Sequence, residues 1–318
     1  MGSERKSDWA TPKPLPPGDR AATARVLDFL AAAQKDPARN VAYLGDDRDG
    51  IQSELEELVP SWEGTVRVCE DANGELRGVV LANWDTEIGL SWVYGPWTRP
   101  TDWDACASSL LDAALEQIPA GVTRYELSGA CENAALAALA AERGAVSTDV
   151  NYALVLDGDA LARISPSRAG EGFTIEEGGL VGRAPESLSA VDRDVLHELH
   201  EENFPTPYYS MDQLLAQHAD GEAIVLVARM GGDVAGYAAG RVQPDGVGYV
   251  DFLAVAPAGR GHGVGRALMV ELLARLRSRI TRQEVCLTVR HSLGPARALY
   301  ASLGFHVDAS LVGYRVAL

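Results

Sequence analysis

The sequence predicts two tandem α/β (α+β) domains, each with a mixed, mostly antiparallel central sheet flanked by helices. The chain has 318 residues, enough for two domains at ~150 residues each. One order of elements also occurs twice: two helices, a hairpin, a strand, a helix, a strand, a helix and a last strand. Glycines that end corresponding helices, Gly144 and Gly304, lie about 160 residues apart. Together these observations indicate a duplicated domain.

Hydrophobic periodicity and turn residues define the first copy. A helix begins near Ala21, and a second covers Gln52–Leu58. The run Asp71-Ala72-Asn73-Gly74 is a hairpin turn sequence. The other predicted elements are strands at Thr65–Cys69, Leu76–Trp84, Ile88–Tyr94, Arg124–Ser128 and Val150–Leu156 and helices at Trp103–Ile118 and Asn133–Arg143.

The second copy follows a segment with little periodicity. Its predicted strands are Phe173–Glu176, Ala223–Met230, Val234–Val242, Tyr249–Val255, Glu284–Val289 and Tyr314–Ala317, and its helices are Ser187–Glu202, Met211–His218, Gly265–Ile280 and Pro295–Leu303. We therefore expect a flexible, proline-rich tail over 1–19, a first domain over 20–156, a linker over 157–171 and a second domain over 172–318.

Composition and charge exclude several classes of protein. There are 28 Lys+Arg and 45 Asp+Glu residues, a net charge of −17. Such a surface repels phosphate backbones, so we expect neither nucleic-acid nor membrane partners. No run reaches the ~18 apolar residues of a membrane span, and the N-terminus lacks a signal-peptide core. The four cysteines form no CxxC pair, so we expect no metal site, no disulfide framework and a cytoplasmic location. The oligomeric state stays open.

The segment most typical of a binding site lies between a strand and a helix of the second copy. Tyr249–Val255 is followed by Arg260-Gly-His-Gly-Val-Gly265-Arg266. Alternate glycines let backbone N–H groups converge, and the N-terminus of the following helix adds its positive dipole end. The two arginines can bind phosphate oxygens. This pattern is neither the dinucleotide fingerprint nor a Walker loop. It predicts a pyrophosphate cradle; a tight strand–helix turn whose glycines serve packing alone is the alternative.

A second motif follows 35 residues later in the sequence, Ala296-Arg-Ala-Leu-Tyr300-Ala-Ser-Leu-Gly304-Phe305. With Arg-x-x-Gly-x-Gly at 260–265, it resembles the Gcn5-related N-acetyltransferase (GNAT) superfamily over about residues 172–318. The resemblance implies two GNAT-like domains and acetyl-CoA, or another short acyl-CoA, as cosubstrate. It departs from the family at Leu293, where an asparagine is common, so one contact to the cosubstrate is expected to be missing.

The resemblance also implies roles for single residues. The pantetheine arm and thioester would contact the strand residues Leu253, Ala254 and Val255. The pyrophosphate would contact the loop residues Arg260, Gly261, His262, Gly263, Val264, Gly265 and Arg266. Tyr300 matches the family's general acid, which protonates the departing thiolate, although an aromatic packed under the sheet is the alternative. Asp251 matches a strand carboxylate that acts as general base, although a strand residue could equally face solvent.

The corresponding loop of the first copy lacks these features. Gly-Pro-Trp-Thr-Arg-Pro100-Thr-Asp-Trp-Asp follows Tyr94, so glycines do not free its N–H groups, and Asp102 and Asp104 would repel a pyrophosphate. Ala140 stands at the position of Tyr300. We expect a degenerate GNAT-like domain that either walls the acceptor pocket or supports the other copy; a diverged but active site is the alternative.

These residues predict an acyltransferase that moves an acetyl group from acetyl-CoA to a primary amine of a small molecule. The alternatives are a non-catalytic acyl-CoA-binding protein and an enzyme for a different short acyl group. The segment from His197 to Tyr209, with three glutamates and several aromatics, is the expected acceptor region. Its His197-Glu-Leu-His200 run is one residue shorter than a zincin motif, so we reject a metal there. His291, after the last central strand, is either an acid–base group or a surface residue.

Overall fold

The computed structural model describes residues 10–41, 44–165, 172–177, 188–205 and 208–318. The chain divides into two compact units. Unit 1 comprises Met1–Asn151 and Ala309–Leu318, and unit 2 comprises Tyr152–Asp308. The start of the predicted tail, the end of the predicted linker and the predicted helix start at Ser187 lie outside the described residues.

The first half of the chain alternates helices and strands much as predicted. The elements are β1 (Lys13–Pro14), α1 (Arg20–Gln34), α2 (Arg48–Glu56), α3 (Trp62–Thr65), β2 (Arg67–Glu70), β3 (Leu76–Asp85), β4 (Leu90–Thr98), α4 (Trp103–Leu115), β5 (Arg124–Ala130), α5 (Ala134–Glu142) and β6 (Val146–Ser147). The predicted turn between β2 and β3 is confirmed: the Asp71 carboxylate accepts hydrogen bonds from the backbone N–H groups of Asn73 and Glu75.

The second half repeats this order. The first copy ends with β7 (Asn151–Asp157), and the elements that follow are α6 (Gly158–Arg163), β8 (Phe173–Glu177), α7 (Ala190–Asn203), α8 (Met211–Ala219), β9 (Ala223–Met230), β10 (Asp233–Val242), β11 (Gly248–Val255), α9 (Val264–Arg277), β12 (Glu284–Arg290), α10 (Gly294–Leu303) and β13 (His306–Ala317). The predicted apolar stripe of α9 is confirmed, because Val264, Leu268, Leu272, Leu273 and Leu276 are fully buried in the core of unit 2 and Ile280 nearly so.

The strands of both units follow one plan. The strand order is β1-β2-β3-β4-β5-β13 in unit 1 and β8-β9-β10-β11-β12-β7 in unit 2. The hairpin strands pair antiparallel, whereas β4 runs parallel to β5 and β11 parallel to β12. The mixed, mostly antiparallel sheets that the sequence predicts are therefore present in both units.

The last strand in the strand order of each unit comes from the other half of the sequence. In unit 1, β13 pairs antiparallel with β5 from Leu311 to Ala317. In unit 2, β7 lies beside β12. The units therefore differ from the boundaries predicted at 20–156 and 172–318. The pattern of a strand shows which face is buried, but it does not show which sheet receives the strand.

Two segments expected to lack structure are ordered where they are described. Ala10 and Leu15 are buried, and β1 pairs with β2, so residues 10–19 do not form a free tail. In the predicted linker, α6 places Leu161 in the core of unit 2, and the carbonyls of Leu161 and Ile164 accept from the Arg277 guanidinium. Sequence analysis missed the ordered structure of both segments because their apolar residues are too sparse to show a periodic pattern.

Val316→Asp tests the placement of β13. All six tryptophans precede residue 104, so tryptophan fluorescence reports on unit 1. Val316 packs against the core of unit 1, and a partly buried carboxylate there should lower the free energy of unfolding by about 2 kcal/mol. Urea denaturation followed by tryptophan fluorescence should show the loss. Val307→Asp, at a position 53% exposed on the same strand, is the control. Equal midpoints for both variants would contradict the exchange.

Candidate active site

The site begins where two parallel strands of unit 2 separate. β11 pairs with β12 at Gly248 and Tyr249, while its other edge stays paired with β10 as far as Val255. From Val250 onward, the edge toward β12 therefore presents backbone N–H and C=O groups to a cleft. The predicted thioester-binding residues Leu253, Ala254 and Val255 all lie on this stretch.

The glycine loop closes one end of that strand. Gly261 and Gly263 have φ angles of 78° and 81°, which L side chains rarely adopt. Gly263 is the N-cap of α9, and the first N–H groups of a helix have no acceptor within it. A Cβ on Gly259 would lie 2.8 Å from the Ala235 carbonyl oxygen, a close approach that sequence reasoning missed. The loop therefore fits an anion at the helix N-terminus.

Basic side chains flank this loop. The Arg260 Nε donates to the Val255 carbonyl at 3.1 Å, and the Arg266 Nη1 donates to Ser302 Oγ at 2.7 Å. The His262 Nδ1 hydrogen-bonds the Arg260 carbonyl at 2.9 Å. Arg260, His262 and Arg266 are all exposed, so the arginines can reach a phosphate group.

Tyr300 lies on α10, the helix next to the glycine loop. The bond between Arg266 and Ser302 joins α10 to the first turn of α9, and Leu299 lies 3.8 Å from the Cβ position of Gly265. The Tyr300 ring packs edge-to-face on Phe305. Burial raises the pKa of Tyr300 to about 12, and its hydroxyl has no partner among the described residues. A protonated phenol is therefore available beside the loop.

The start of α10 differs from the start of its counterpart α5. Leu293 is 44% exposed and gives α10 no side-chain cap. In unit 1, the Asn133 side chain caps α5 by accepting from Leu136 N–H, and its amide donates to the Asn40 carbonyl at 3.1 Å. The unit with the glycine loop thus lacks this asparagine, as the sequence indicates.

A β-bulge turns the Asp251 side chain inward. The register of β10 against β11 shifts between the Ala239–Phe252 and Gly240–Val250 pairs, so Asp251 is the extra residue. Its side chain is 1% exposed and lies 3.3 Å from Arg241 Nη2. Its Oδ1 also accepts from the Tyr208 hydroxyl at 2.9 Å.

The second carboxylate oxygen of Asp251 is buried and has no partner among the described residues. Burial raises the pKa of Asp251, and the charge of Arg241 and the hydrogen bond from Tyr208 offset part of that rise. The carboxyl group therefore combines a raised proton affinity with one uncommitted oxygen. Such a group can accept a proton from a ligand at this position.

Aromatic rings surround this carboxylate. Tyr208 stacks on Phe252 with ring centroids 4.9 Å apart, Phe204 meets Phe252 edge-to-face, and the Arg241 guanidinium lies over the Tyr209 ring. The predicted acceptor segment does reach Asp251 through Tyr208. Arg241 was missed, because a single arginine at the end of a strand carries no motif.

The histidines at positions 197, 200 and 291 hydrogen-bond to neighbouring residues of the protein. His200 Nε2–H donates to the Tyr209 carbonyl at 2.8 Å, and its Nδ1 accepts from the Tyr237 hydroxyl at 2.5 Å. Burial lowers the pKa of His200, in keeping with this neutral form. His197 instead contacts Asp212, and the described residues contain no metal-binding group of three or more His, Cys, Asp or Glu. His291 Nδ1 accepts from the Tyr152 hydroxyl at 2.9 Å.

Comparison with known proteins defines the class. Residues 193–305 match the profile of the Acetyltransferase (GNAT) family, so this part of unit 2 is a GNAT domain. The chain is similar in fold to a GCN5-related N-acetyltransferase from Sphaerobacter thermophilus (TM-score 0.64, 19% identity, 96% of this chain and 95% of that one). A tandem GNAT protein from the clavulanic acid biosynthesis pathway is similar to the same extent (TM-score 0.64, 17% identity, 96% and 98%). No curated protein matches the sequence significantly.

No helix among the described residues is long and apolar enough to cross a bilayer.

Asp251→Asn tests the electrostatics of the site. Because folding raises the pKa of Asp251, the wild type loses stability as pH rises through the interval between its unfolded and folded pKa values. The variant cannot ionise, so its free energy of unfolding should exceed that of the wild type above this interval and converge with it below. Urea denaturation followed by circular dichroism over a pH series measures the difference. The control is Asp245→Asn, at an exposed aspartate paired with Arg282. A difference that grows toward acid pH would contradict the assignment.

Proposed function

We propose that the protein transfers an acetyl group from acetyl-CoA to a primary amine of a small molecule, with unit 2 as the catalytic unit. The observation that carries the proposal is the position of Asp251. This buried carboxylate has one free oxygen, and it lies on the strand whose open edge ends at the glycine loop. The four cysteines are unpaired, which supports a reducing compartment such as the cytoplasm.

The acceptor side of the reaction needs an unprotonated amine. In our proposal, Asp251 Oδ2 takes the proton from the amine, directly or through a water molecule. The amine nitrogen then bonds to the thioester carbonyl carbon. Tyr208 and Arg241 are positioning residues, because their contacts to Oδ1 leave Oδ2 facing the amine.

The donor side of the reaction needs a proton for sulfur. As the carbon–sulfur bond breaks, the Tyr300 hydroxyl donates its proton to the departing thiolate. Backbone N–H groups of Leu253–Val255 are suited to binding the carbonyl oxygen as it gains charge. The glycine loop, Arg260 and Arg266 would bind the pyrophosphate of the cosubstrate.

We assign no transfer to unit 1, where the chain itself occupies the gap between the parallel strands. Val41 forms a bridge with Gly129 of β5, and the Asn40 carbonyl accepts from Ala130 N–H. A Cβ on Gly129 would lie 2.7 Å from that same carbonyl oxygen. A pantetheine arm would have to displace this segment. Ala140 also supplies no proton donor at the position of Tyr300.

Tyr300→Phe tests the general acid. Phenylalanine keeps the ring packing against Phe305 but removes the proton donor, so kcat should fall about 100-fold or more. The acetyl-CoA dissociation constant should stay the same. Thiol release with a panel of primary amines measures kcat, and Tyr125→Phe, at a buried tyrosine of unit 1, is the matched control. An unchanged kcat over the whole pH range would exclude the acid role.

Gly263→Val tests the cradle. Valine at a φ of 81° costs about 1–2 kcal/mol of backbone strain, and the loop should move so that acetyl-CoA binds about tenfold more weakly or worse. Gly221→Val is the control, because Gly221 has the same φ and open space around its Cβ position. Calorimetric titration with acetyl-CoA should give one site per wild-type chain. Two sites would contradict the inactive first unit, and an unchanged affinity in Gly263→Val would contradict the cradle.

A further inference from the structure

Unit 1 contains a cavity that the proposed reaction does not use. Its volume is about 240 Å³, and Glu54, Glu57, Trp92, Tyr94 and Ser128 are among the residues that line it. We infer that this cavity binds a small organic ammonium ion without acylating it. This inference does not depend on the proposed activity of unit 2.

The cavity lies where unit 2 has its proposed amine site. Tyr94 lies four residues before the end of β4 at Thr98, as Asp251 lies four residues before the end of β11 at Val255. In unit 2 Asp251 is itself the extra residue of the register shift against β10, and in unit 1 the shift against β3 lies between Tyr94 and Trp97. Unit 1 thus keeps the space beside the strand but replaces the carboxylate base with a phenol.

The charge of the cavity suits a cation. Glu54 and Glu57 are three residues apart along α2 and its C-cap, so their side chains lie on one face. Glu54 is exposed, but partial burial raises its pKa. The Gly45 N–H that donates to it lowers the pKa, and the nearby Asp47 and Glu57 carboxylates raise it. No basic side chain in the described part of the chain pairs with Glu54 or Glu57. The positive charge of a bound ammonium ion would offset both the energetic cost of desolvating Glu54 and the repulsion between the carboxylates.

Two hydroxyl groups that line the cavity are available to a ligand. The hydroxyl of Ser128, a residue only 8% exposed, and the hydroxyl of Tyr94 have no hydrogen-bond partner among the residues that the structure describes. Burial raises the pKa of Tyr94 to about 12, so this oxygen stays a neutral acceptor. A primary ammonium group donates three hydrogen bonds, which these hydroxyls and the carboxylates can accept.

Ring faces and size narrow the ligand class. Trp92 and Tyr94 supply aromatic surface, and a cation over such a face gains about 0.5–2 kcal/mol. The volume is below the ~300–1,000 Å³ of pockets for drug-sized ligands. The occupant is therefore a small aliphatic or arylalkyl ammonium ion. It would stay unmodified, because Asn40 and Val41 fill the gap through which a thioester would have to reach it.

Tryptophan fluorescence locates the binding event, since all six tryptophans precede residue 104 and one of them, Trp92, lines the cavity. We would titrate the full chain with n-butylammonium chloride at constant ionic strength, with n-butanol as the uncharged probe. The expected result is a saturable change with the ammonium ion and none with the alcohol. Glu54→Gln/Glu57→Gln should weaken the apparent affinity about tenfold or more. Glu56→Gln, on the same helix but outside the cavity, is the matched control.

Two further variants keep the result unambiguous. If the double variant does not fold, Glu57→Gln alone takes its place. Glu57 is exposed, so folding should tolerate this change, and binding should weaken severalfold. Asp251→Asn removes the carboxylate of unit 2 and should leave the fluorescence titration unchanged. No saturable change in the wild type would overturn the inference, as would an affinity unchanged in Glu54→Gln/Glu57→Gln or a response lost only in Asp251→Asn.

Discussion

The structure depends on what happens to the backbone where two parallel strands separate. Once β11 leaves β12 after Tyr249, the N–H and C=O groups on that edge need partners from water, a ligand or another segment. In unit 2, the open edge leads to the glycine loop and the bulge at Asp251. In unit 1, the segment Asn40–Val41 occupies the gap. One constraint thus has two solutions, and each solution determines what its unit can bind.

Single side chains maintain this difference. Asn133 caps α5 and donates to the Asn40 carbonyl. The GNAT resemblance links an asparagine at this position to the cosubstrate, but in unit 1 it holds the segment Asn40–Val41 in the gap. Leu293 at the matching position makes no such contact. The asparagine is thus present in the unit where its contacts help to close the gap. The gap of unit 1 is thus closed by specific hydrogen bonds and not only by the loss of glycines.

Local features of this fold could be predicted from the sequence, and nonlocal ones could not. The Asp71–Gly74 turn, the stripe of α9 and the glycine loop depend on residues close in the chain, and each was predicted. The exchange of β7 and β13 depends on pairing between distant strands, which periodicity does not encode. Arg241 meets Asp251 only because a bulge shifts the register. The position of Asp251 was predictable from the motif, but its burial and its free oxygen were not.

The two carboxylate sites differ in the form of amine that they favour. In unit 2, Arg241 offsets the charge of Asp251, so the site is close to neutral and gains little by holding a cation. That balance suits a group that must take a proton and leave the amine neutral for attack. In unit 1, the charges of Glu54 and Glu57 are not offset by a basic side chain of the described residues, so the ammonium site that we infer there would stabilise the protonated amine. A protonated nitrogen has no lone pair to attack a carbonyl. The same ligand class would thus be reactive in one unit and held unreactive in the other.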